Sequence, residues 1–480
     1  MASQDFDHNA SHYAGLGLAG LTERVRHELR CLETPNRPWV PPRRRADDSH
    51  VLDVLIIGGG QSGLAIGWML RRERVDRVQI VDENPPGFAG PWLRFARMKT
   101  LRTPKELTGP DLGVPSLTFR AFFEAQYGTA AWESLELIPK KQWAAYLGFY
   151  QRILDLPVQH NTLAGPLRFE PAERVWAVPL REQGIERTVF ARKIVLANGI
   201  EGAGAWQTPS ALTAHIPPEV VAHTRQDIDF GALAGKRVAV LGAGASAFDH
   251  AIVALQQGAR SVDLCFRRPS LVRVDAFRFC DFTGFLKHHH DLSDRERYRF
   301  MVQIAKMGQL PPANTYHCAV NLPGFRMHPG TPWERLDWDG REVRIQTPSG
   351  PLFADFLILA TGFRTDLRLR PELAQIEPLI ARWSDRYVPP AGDEDPDLLR
   401  HPYLGPSYEL QEKTPGQAPQ LSSVFLFNYG ALLSHGFGAA GLTGFRYSVP
   451  RLVDGITRQL YVEDSEHHLR ELCEFSEADF

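Results

Sequence analysis

The sequence contains few cysteines, no long apolar run and no excess of either charge. Its 480 residues include five cysteines, and none of them forms a C-x-x-C pair, which argues against dithiol or cysteine-based metal chemistry. No stretch of about 18 uncharged apolar residues is present, so no membrane-spanning helix is predicted. The 54 basic and 56 acidic residues provide no overall field that would attract nucleic acid or an anionic membrane.

The same absences predict the cellular compartment of the protein and the class of its binding partners. The N-terminal segment lacks the basic, apolar and small-residue order of a signal peptide, and scattered thiols fit a reducing compartment, so a soluble, cytoplasmic protein is predicted. Small molecules are the expected partners, and no binding of nucleic acid or of a membrane is predicted. The sequence is compatible with a homo-oligomer. A length of 480 residues is enough for two or three domains.

The most informative motif is a glycine-rich turn between an apolar β-branched run at residues 51–57 and a helical pattern. In the turn Gly58-Gly59-Gly60-Gln61-Ser62-Gly63, Gly58 permits the tight bend and Gly60 lets a pyrophosphate approach the backbone. Gly63 lets the helix pack closely on the strand, and the helix N-terminus, with Ser62, offers hydrogen-bond donors. The next strand ends at Asp82-Glu83, where Asp82 is predicted to bind the hydroxyls of an unphosphorylated adenosine ribose.

A second turn, Gly242-Ala243-Gly244-Ala245-Ser246-Ala247, lies in the same strand-turn-helix setting. When the two units are laid in register, Phe266 takes the position of Asp82, and Arg267-Arg268 follow. A guanidinium group suits a 2′-phosphate and no carboxylate repels it, so this turn is predicted to prefer NADP(H) to NAD(H). The alternative is a solvated arginine pair at the end of a strand.

The architecture around each turn is duplicated. Each unit continues through an antiparallel strand pair to a strand that ends in Ala-x-Gly, at residues 197–199 and 360–362. This predicts an α/β fold with two Rossmann-like dinucleotide-binding domains, the second inserted into the first. The predicted parts are an N-terminal helical extension and linker (1–50), the first domain (51–199), the inserted domain (200–362) and the rest of the first domain with a C-terminal helix (363–480).

From Leu52 to Leu460 this order of motifs resembles the class B flavoprotein monooxygenases, which include flavin-containing and Baeyer-Villiger monooxygenases and the ornithine/lysine N-hydroxylases. The resemblance is carried by both turns, by Gly90-Pro91-Trp92 and by residues 359–362. It implies FAD at the first turn and NADPH at the second, with Thr361 in the cofactor site. It also implies that Trp92 approaches the flavin, although Ala89 replaces a family glycine; a buried structural tryptophan is the alternative.

The linker and the C-terminal region suggest a branch within this family. Pro217 and Glu219 stand where Baeyer-Villiger and flavin-containing members carry phenylalanine and glycine, so His223-Thr224 is nearer the His-Ser/Thr form of the N-hydroxylases. Asn428 and His435 loosely resemble a C-terminal asparagine and His-Gly of that branch. The resemblance thus implies catalytic roles for His223, Asn428 and His435, with a core histidine as the alternative for His435.

Cationic residues lie where family members line the pocket beside the flavin. Lys99, Arg102 and Lys105 are the candidates for holding a substrate carboxylate, and ordinary surface charge is the alternative. The asparagine that flavin-containing monooxygenases tend to have in this stretch is absent. The run of residues 288–290, three histidines, is interpreted as a solvated turn, and no metal site is predicted.

The resemblance implies a mechanism in which NADPH reduces FAD, O2 forms a C4a-(hydro)peroxyflavin, and one oxygen atom enters a small polar substrate. The first hypothesis is N-hydroxylation of an amine. Sulfur oxidation, Baeyer-Villiger oxygenation and an uncoupled NADPH oxidase or flavin reductase are alternatives, and a non-enzymatic redox sensor is the least favoured. Because the cofactor carries the chemistry, no catalytic triad is required.

Overall fold

Two sheets, one mixed and one parallel, organise the chain, and each is bordered by one of the glycine-rich turns. The computed structural model describes residues 12–32, 37–107, 109–439 and 441–478. Among these residues the larger sheet has nine strands: Arg43–Arg44, His50–Ile57, Val78–Val81, Val158–Gln159, Thr162–Ala164, Arg168–Glu170, Val175–Glu182, Ile185–Leu196 and Val424–Leu426. The other has five parallel strands: Val221–His223, Arg237–Leu241, Ser261–Phe266, Phe325–Pro329 and Phe356–Leu359.

Smaller sheets and the helices complete the described chain. The small sheets pair Thr100–Pro104 with Leu137–Pro139, Gly204–Trp206 with Phe363–Thr365, and Arg335–Trp338 with Val343–Gln346 and Leu352–Ala354. The α-helices are Gly17–Cys31, Gln61–Arg72, Phe119–Tyr127, Thr129–Ser134, Lys140–Ile153, Ser210–Thr213, Ala245–Gln256, Ala276–Cys280, Thr283–His288, Asp294–Met307, Ala313–Val320, Pro396–Leu399, Leu432–His435, Phe445–Glu463 and Ser465–Glu474. None of them, in the part that the structure describes, has the length and apolar character needed to cross a membrane.

The predicted α/β fold with an inserted nucleotide domain is confirmed. Strand Ile185–Leu196 pairs in parallel with His50–Ile57, after which the chain enters the five-stranded sheet. It returns through Phe363–Thr365, which pairs antiparallel with Gly204–Trp206. Val424–Leu426 then pairs with the end of strand Ile185–Leu196 and completes the first sheet. The outgoing and returning segments therefore form a two-stranded ribbon between the domains.

The N-terminal extension is tied to the first domain. Leu21 and Val25 of helix Gly17–Cys31 are fully buried. Glu28, on the same helix, accepts hydrogen bonds from the backbone N–H and hydroxyl of Ser116, at 3.0 and 2.6 Å. Burial of the two aliphatic side chains contributes to the attachment, because apolar area removed from water stabilises in proportion to its size.

The interpretation of residues 288–290 as a solvated turn is wrong for two of the three histidines. His289 is buried against Phe285, with ring centroids 4.8 Å apart, and His290 stacks on His435 at 4.3 Å. Only His288 is exposed, and it pairs with Asp291. The reason is the helical segment 276–307, which packs its apolar side chains against residues 383–437, so that His289 is buried and His290 half-buried beside that core.

These buried histidines predict acid sensitivity. Burial lowers the pKa of His289, His290 and His401 to about 4, so each stays neutral in the folded protein. Unfolded histidine takes up its proton near pH 6.5, so the unfolded state binds more protons below that value and folding stability falls between pH 6.5 and 4. We expect the free energy of unfolding to be lower at pH 5 than at pH 7.5, by up to about 2 kcal/mol per histidine.

Urea denaturation at the two pH values measures this loss. His289→Phe is the matched control, because neither ring nitrogen of His289 has a hydrogen-bond partner among the described residues. This variant should lose less stability on acidification than the unsubstituted protein. An identical loss in both would show that His289 does not contribute.

Candidate active site

The first glycine of each turn is required by the chain itself. Gly58 has a φ of +113°, and a Cβ there would lie 2.5 Å from the carbonyl oxygen of Ala197. Gly242 has a φ of +133°, and its Cβ would lie 2.3 Å from the carbonyl oxygen of Ala360. Both conditions exclude a side chain. Ala197 and Ala360 are the alanines of the two Ala-x-Gly strand ends, so the two turns are built in the same way.

The glycine at the third position of each turn, Gly60 or Gly244, is not required by the protein. Gly60 (φ −75°, ψ −170°) and Gly244 (φ −74°, ψ 171°) have backbone conformations that any residue adopts. A Cβ at Gly60 would meet nothing closer than the Gly90 nitrogen at 3.9 Å, and one at Gly244 would meet no atom within 4 Å. Each position borders open space at the N-terminus of a helix, where backbone N–H groups favour an anion. This space is the cradle that a dinucleotide pyrophosphate needs.

Asp82 lies directly beside the first turn. The N–H of Gly58 donates to the carbonyl oxygen of Val81, and that of Gly59 donates to Oδ2 of Asp82 at 2.7 Å. Oδ1 accepts from the backbone and side-chain nitrogens of Asn84. The carboxylate is therefore fixed at the strand end where the sequence places the ribose. Glu83 is exposed, with its Oε1 3.9 Å from Arg94.

The second turn pairs with its neighbouring strand in the same register as the first, but the residues at the end of that strand are apolar and basic instead of acidic. The N–H of Gly242 donates to the carbonyl oxygen of Cys265, so Phe266 occupies the place of Asp82 and is buried. Arg268 donates to the carbonyl oxygen of Met307. Arg267 is exposed and forms no hydrogen bond or ion pair within the described part of the chain. It is the guanidinium available to an incoming phosphate.

The other residues of the two turns differ in how far they are exposed. Ser62 and Ala247 are buried at the starts of their helices, whereas Ser246 is exposed. A Cβ on Gly63 would lie 1.9 Å from the carbonyl oxygen of Gly58, so this position requires glycine. Trp92 is half-buried near the first turn. Its ring packs edge-on against Trp143, whose Nε1 donates to Oε1 of Gln61 at 3.3 Å. One aromatic contact thus links Trp92 to the phosphate turn.

His223 lies between the two domains, at the end of a strand of the inserted sheet. Its Nδ1 accepts a hydrogen bond from the N–H of Arg225, while the buried Nε2 has no partner among the described residues. Burial, with a smaller contribution from Arg225, lowers the pKa of His223 to about 4, so the ring is neutral. The ring packs on Trp206 of the two-stranded ribbon, and Thr361 donates to the carbonyl oxygen of Gln207 in the same ribbon.

Asn428 and His435 are both buried, in different settings. Asn428 donates to Oδ1 of Asn198 at 2.8 Å, directly after the strand that borders the first turn. His435 bonds the carbonyl oxygen of Gly405 through Nε2 and stacks between Tyr408 and His290. Burial holds its pKa well below the usual range. The surroundings of His435 are those of the core alternative, and its catalytic role stays a prediction.

A cavity of about 240 Å³ opens between the two nucleotide domains. The first domain contributes Leu137 and residues 97–102, including Lys99 and Arg102. The inserted domain contributes Asp249, Ile252, Val253, Pro312, Asn314, Thr315 and Cys318. Of the three predicted substrate residues, Lys105 lies elsewhere: its ammonium donates to the carbonyl oxygen of Trp132.

Comparison with known proteins decides the family. Residues 55–276 match the family model described as pyridine nucleotide-disulphide oxidoreductase. Over 465 residues the chain is 43% identical to a FAD-dependent urate hydroxylase of Xanthomonas campestris pv. campestris, covering 97% of this chain and 98% of that protein. The chain belongs to this family of FAD-dependent hydroxylases. Its five cysteines are all free, so the family model's name does not extend to a disulphide in this hydroxylase.

Solved structures agree on the fold of the hydroxylase. The ornithine N-hydroxylase of Kutzneria sp. 744 superposes with a TM-score of 0.66 at 15% identity, covering 85% of this chain and 99% of that one. The ornithine hydroxylase of Pseudomonas aeruginosa gives 0.66 at 16% identity, covering 85% and 100%. The solved structures confirm the predicted two-domain nucleotide-binding fold, and the 43% identical relative confirms a FAD-dependent hydroxylase.

Sequence reasoning missed the half of the cavity that the inserted domain provides. Asn314 and Thr315 belong to a short helix with no motif around them, so no local signal marked them. Asp249 offered a signal, because it is an acidic residue in the helix that follows the second turn, two residues after Ala247. The described residues contain no group of three or more histidine, cysteine, aspartate or glutamate side chains that could hold a metal ion.

Arg267→Ala tests the preference for NADPH. Because the Arg267 guanidinium has no protein partner in the described chain, its loss should remove a charge-assisted bond to the 2′-phosphate without disturbing the fold. We expect the KM for NADPH to rise about 10- to 100-fold while the KM for NADH hardly changes. Steady-state kinetics with both nucleotides measure this. Arg268→Ala is the control and should have the smaller effect, and an equal loss for NADPH and NADH would remove Arg267 from the 2′-phosphate site.

Proposed function

We propose that this hydroxylase uses NADPH and O2 to hydroxylate urate, bound in the cavity between the two nucleotide domains. The observation that carries the proposal is the 43% identity, over nearly the whole of both chains, to a FAD-dependent urate hydroxylase. The cavity supports it, since its rim has three cationic residues, Arg97, Lys99 and Arg102. Urate is a planar anion at neutral pH, and guanidinium groups bind planar anions with directional hydrogen bonds.

The two cofactors are assigned to the two turns by their chemistry. FAD belongs to the first turn, with its pyrophosphate at Gly60 and its ribose at Asp82, whose carboxylate is fixed by Gly59 and Asn84. NADPH belongs to the second, with its pyrophosphate at Gly244 and its 2′-phosphate at Arg267. When bound, FAD would take the hydride of NADPH and activate O2, so that one oxygen atom could enter the substrate and the other leave as water.

The protein's own contribution is to position the reactants and to exclude water. The turns fix both nucleotides at helix N-termini, and Trp92 covers the space beside the first turn. His223 is buried at the domain boundary with Nε2 unbonded, so this atom is the one that can donate to, or accept from, a group placed between the domains. Asn428 acts one step away, by holding Asn198 beside the strand that borders the FAD turn.

N-hydroxylation of a small amine is the second candidate. It is favoured by His223-Thr224, which resembles the linker of the N-hydroxylases, and the structures of such enzymes share the fold. A substrate carboxylate would then lie at Lys99 and Arg102. The roles of these two residues are compatible with either substrate, since urate and an amino acid both carry a negative charge.

NADPH consumption with a substrate panel tests the proposal. Purified enzyme should oxidise NADPH faster with urate than without it, and mass spectrometry should show urate converted to a product containing one more oxygen atom. Ornithine, lysine and cadaverine form the comparison set. Hydroxylation of one of these amines, with no reaction of urate, would replace the proposal by the second candidate.

A further inference from the structure

Among the residues that line the cavity, Asp249 is the one carboxylate, and it lies with three cationic residues in an otherwise neutral lining. Asp249 lies in the first half of helix Ala245–Gln256, and its side chain is 9% exposed. Its Oδ2 accepts from Nη2 of Arg102 at 3.2 Å, across the boundary between the domains. A buried carboxylate is costly unless it is paired, so one ion pair with a partner that is 45% exposed leaves it weakly compensated.

The second oxygen of this carboxylate is available to a ligand. Within the described residues Oδ1 of Asp249 forms no hydrogen bond, although the residue lines the cavity. The ammonium of the nearby Lys140 donates to the carbonyl oxygen of Ala96, and among the described residues it forms no hydrogen bond with Asp249. Burial raises the pKa of Asp249, while Arg102 and Lys140 act in the opposite direction. The pair therefore presents to the cavity a guanidinium donor beside a free carboxylate acceptor.

We propose that Asp249 and Arg102 form the pair that selects the substrate, with Arg102 donating to a ring carbonyl or anionic oxygen and Asp249 accepting from the neighbouring ring N–H. This inference rests on the proposed function and names the residues that recognise the heterocycle. Urate carries N–H and C=O groups side by side on both of its rings. The adjacent donor of Arg102 and acceptor of Asp249 are complementary to that edge. Protein side chains recognise the edges of nucleic-acid bases through the same kind of paired hydrogen bonds.

The carboxylate also rejects competing ligands. An aromatic carboxylate or a phosphate of similar size has no N–H to offer, so it would place its own negative charge against Asp249. A purine edge that lacks the N–H would leave the buried acceptor of Asp249 unpaired. This loses more binding free energy than a missing contact on an exposed surface does. Asn314 and Thr315 line the same cavity from the helix beside that of Asp249 and add neutral polar groups.

Two variants separate recognition from domain packing. Asp249→Ala should raise the Kd of urate about 10- to 100-fold, the effect of losing a hydrogen bond to a charged group, and leave the KM of NADPH unchanged. Asp227→Asn is the matched control: Asp227 pairs with Arg97 at 2.9 Å across the same domain boundary, but it is fully exposed and does not line the cavity. If Asp249 only holds the domains together, the two variants should behave alike.

A series of N-monomethylated urates, each lacking one ring N–H, gives the decisive readout. With the unsubstituted enzyme, methylation of the nitrogen that faces Asp249 should weaken binding about as much as Asp249→Ala does. In Asp249→Ala the same methylation should have little further effect, because the acceptor is already gone. Equilibrium dialysis measures these Kd values without requiring turnover.

The outcomes distinguish this inference from the proposed function. Binding that couples one ring N–H to Asp249, without oxidation of urate, would support the pair and contradict hydroxylation. Oxidation of urate with methylation effects that are the same in both proteins would contradict the pair and support hydroxylation. Urate that neither binds nor reacts would overturn both.

Discussion

Replacing Gly60 by valine should yield folded protein without bound flavin. The Gly60 backbone conformation suits any residue, and a Cβ there meets only the Gly90 nitrogen, at 3.9 Å. The protein therefore has room for the Cβ, and the valine methyl groups are expected to enter the space assigned to the FAD pyrophosphate. Loss of two charge-assisted bonds from the turn is worth about 100-fold or more in Kd. The flavin content of purified protein, measured by its visible absorbance, is expected to fall nearly to zero.

Circular dichroism must accompany that measurement, because flavin also leaves a protein that has unfolded. The variant should keep its helical signal, and its flavin should not return when FAD is added. Stoichiometric FAD in the folded Gly60→Val protein would show that the two turns have been assigned in the wrong order.

Gly244→Val should have the complementary effect. A Cβ at Gly244 meets no atom within 4 Å, and the backbone is again ordinary, so the side chain enters the space assigned to the NADPH pyrophosphate. The protein should purify with its full complement of FAD. Reduction of that flavin by NADPH is expected to require about 100-fold or more higher nucleotide concentration. Anaerobic stopped-flow bleaching of the flavin measures this change.

Dithionite provides the control, since it reduces flavin without a nucleotide site. It should bleach Gly244→Val and the unsubstituted enzyme equally. Loss of FAD from Gly244→Val, or normal bleaching by NADPH, would contradict the assignment of the second turn.

The sequence predicted the two turns because their determinants are local. Glycine at residues 58 and 242 is required by a positive φ and by one neighbouring carbonyl oxygen, and both requirements follow from the strand-turn-helix geometry. The equivalence of Asp82 and Phe266 follows from their matching positions at the ends of the corresponding strands. Backbone pairing of Gly58 with Val81 and of Gly242 with Cys265 confirms that register.

The sequence predicted the residues that the first domain contributes to the cavity, but not those that the inserted domain contributes. Lys99 and Arg102 lie in one strand and its approach, whereas Asp249 and Asn314 lie in two helices of the other domain. Packing of one domain against the other brings these residues together, and no periodicity in the sequence encodes that contact. Lys105 lies in the same sequence run but turns to the carbonyl oxygen of Trp132, near the end of helix Thr129–Ser134, where a cation is stabilised.

The histidines show the same limit in the core. Three consecutive polar residues indicate a solvated turn when the chain is considered alone. In the structure, segment 276–307 folds over residues 383–437, so His289 is buried against Phe285 and His290 is half-buried against His435. Their burial depends on a contact between segments about a hundred residues apart, which local pattern does not report.

Isotope labelling tests the central claim most directly. Purified enzyme supplied with NADPH, urate and ¹⁸O2 should form product in which one ¹⁸O atom has been added per NADPH consumed. Hydrogen peroxide should account for little of the NADPH. Unchanged urate together with peroxide equal to the NADPH consumed would contradict the account and identify the protein as an NADPH oxidase.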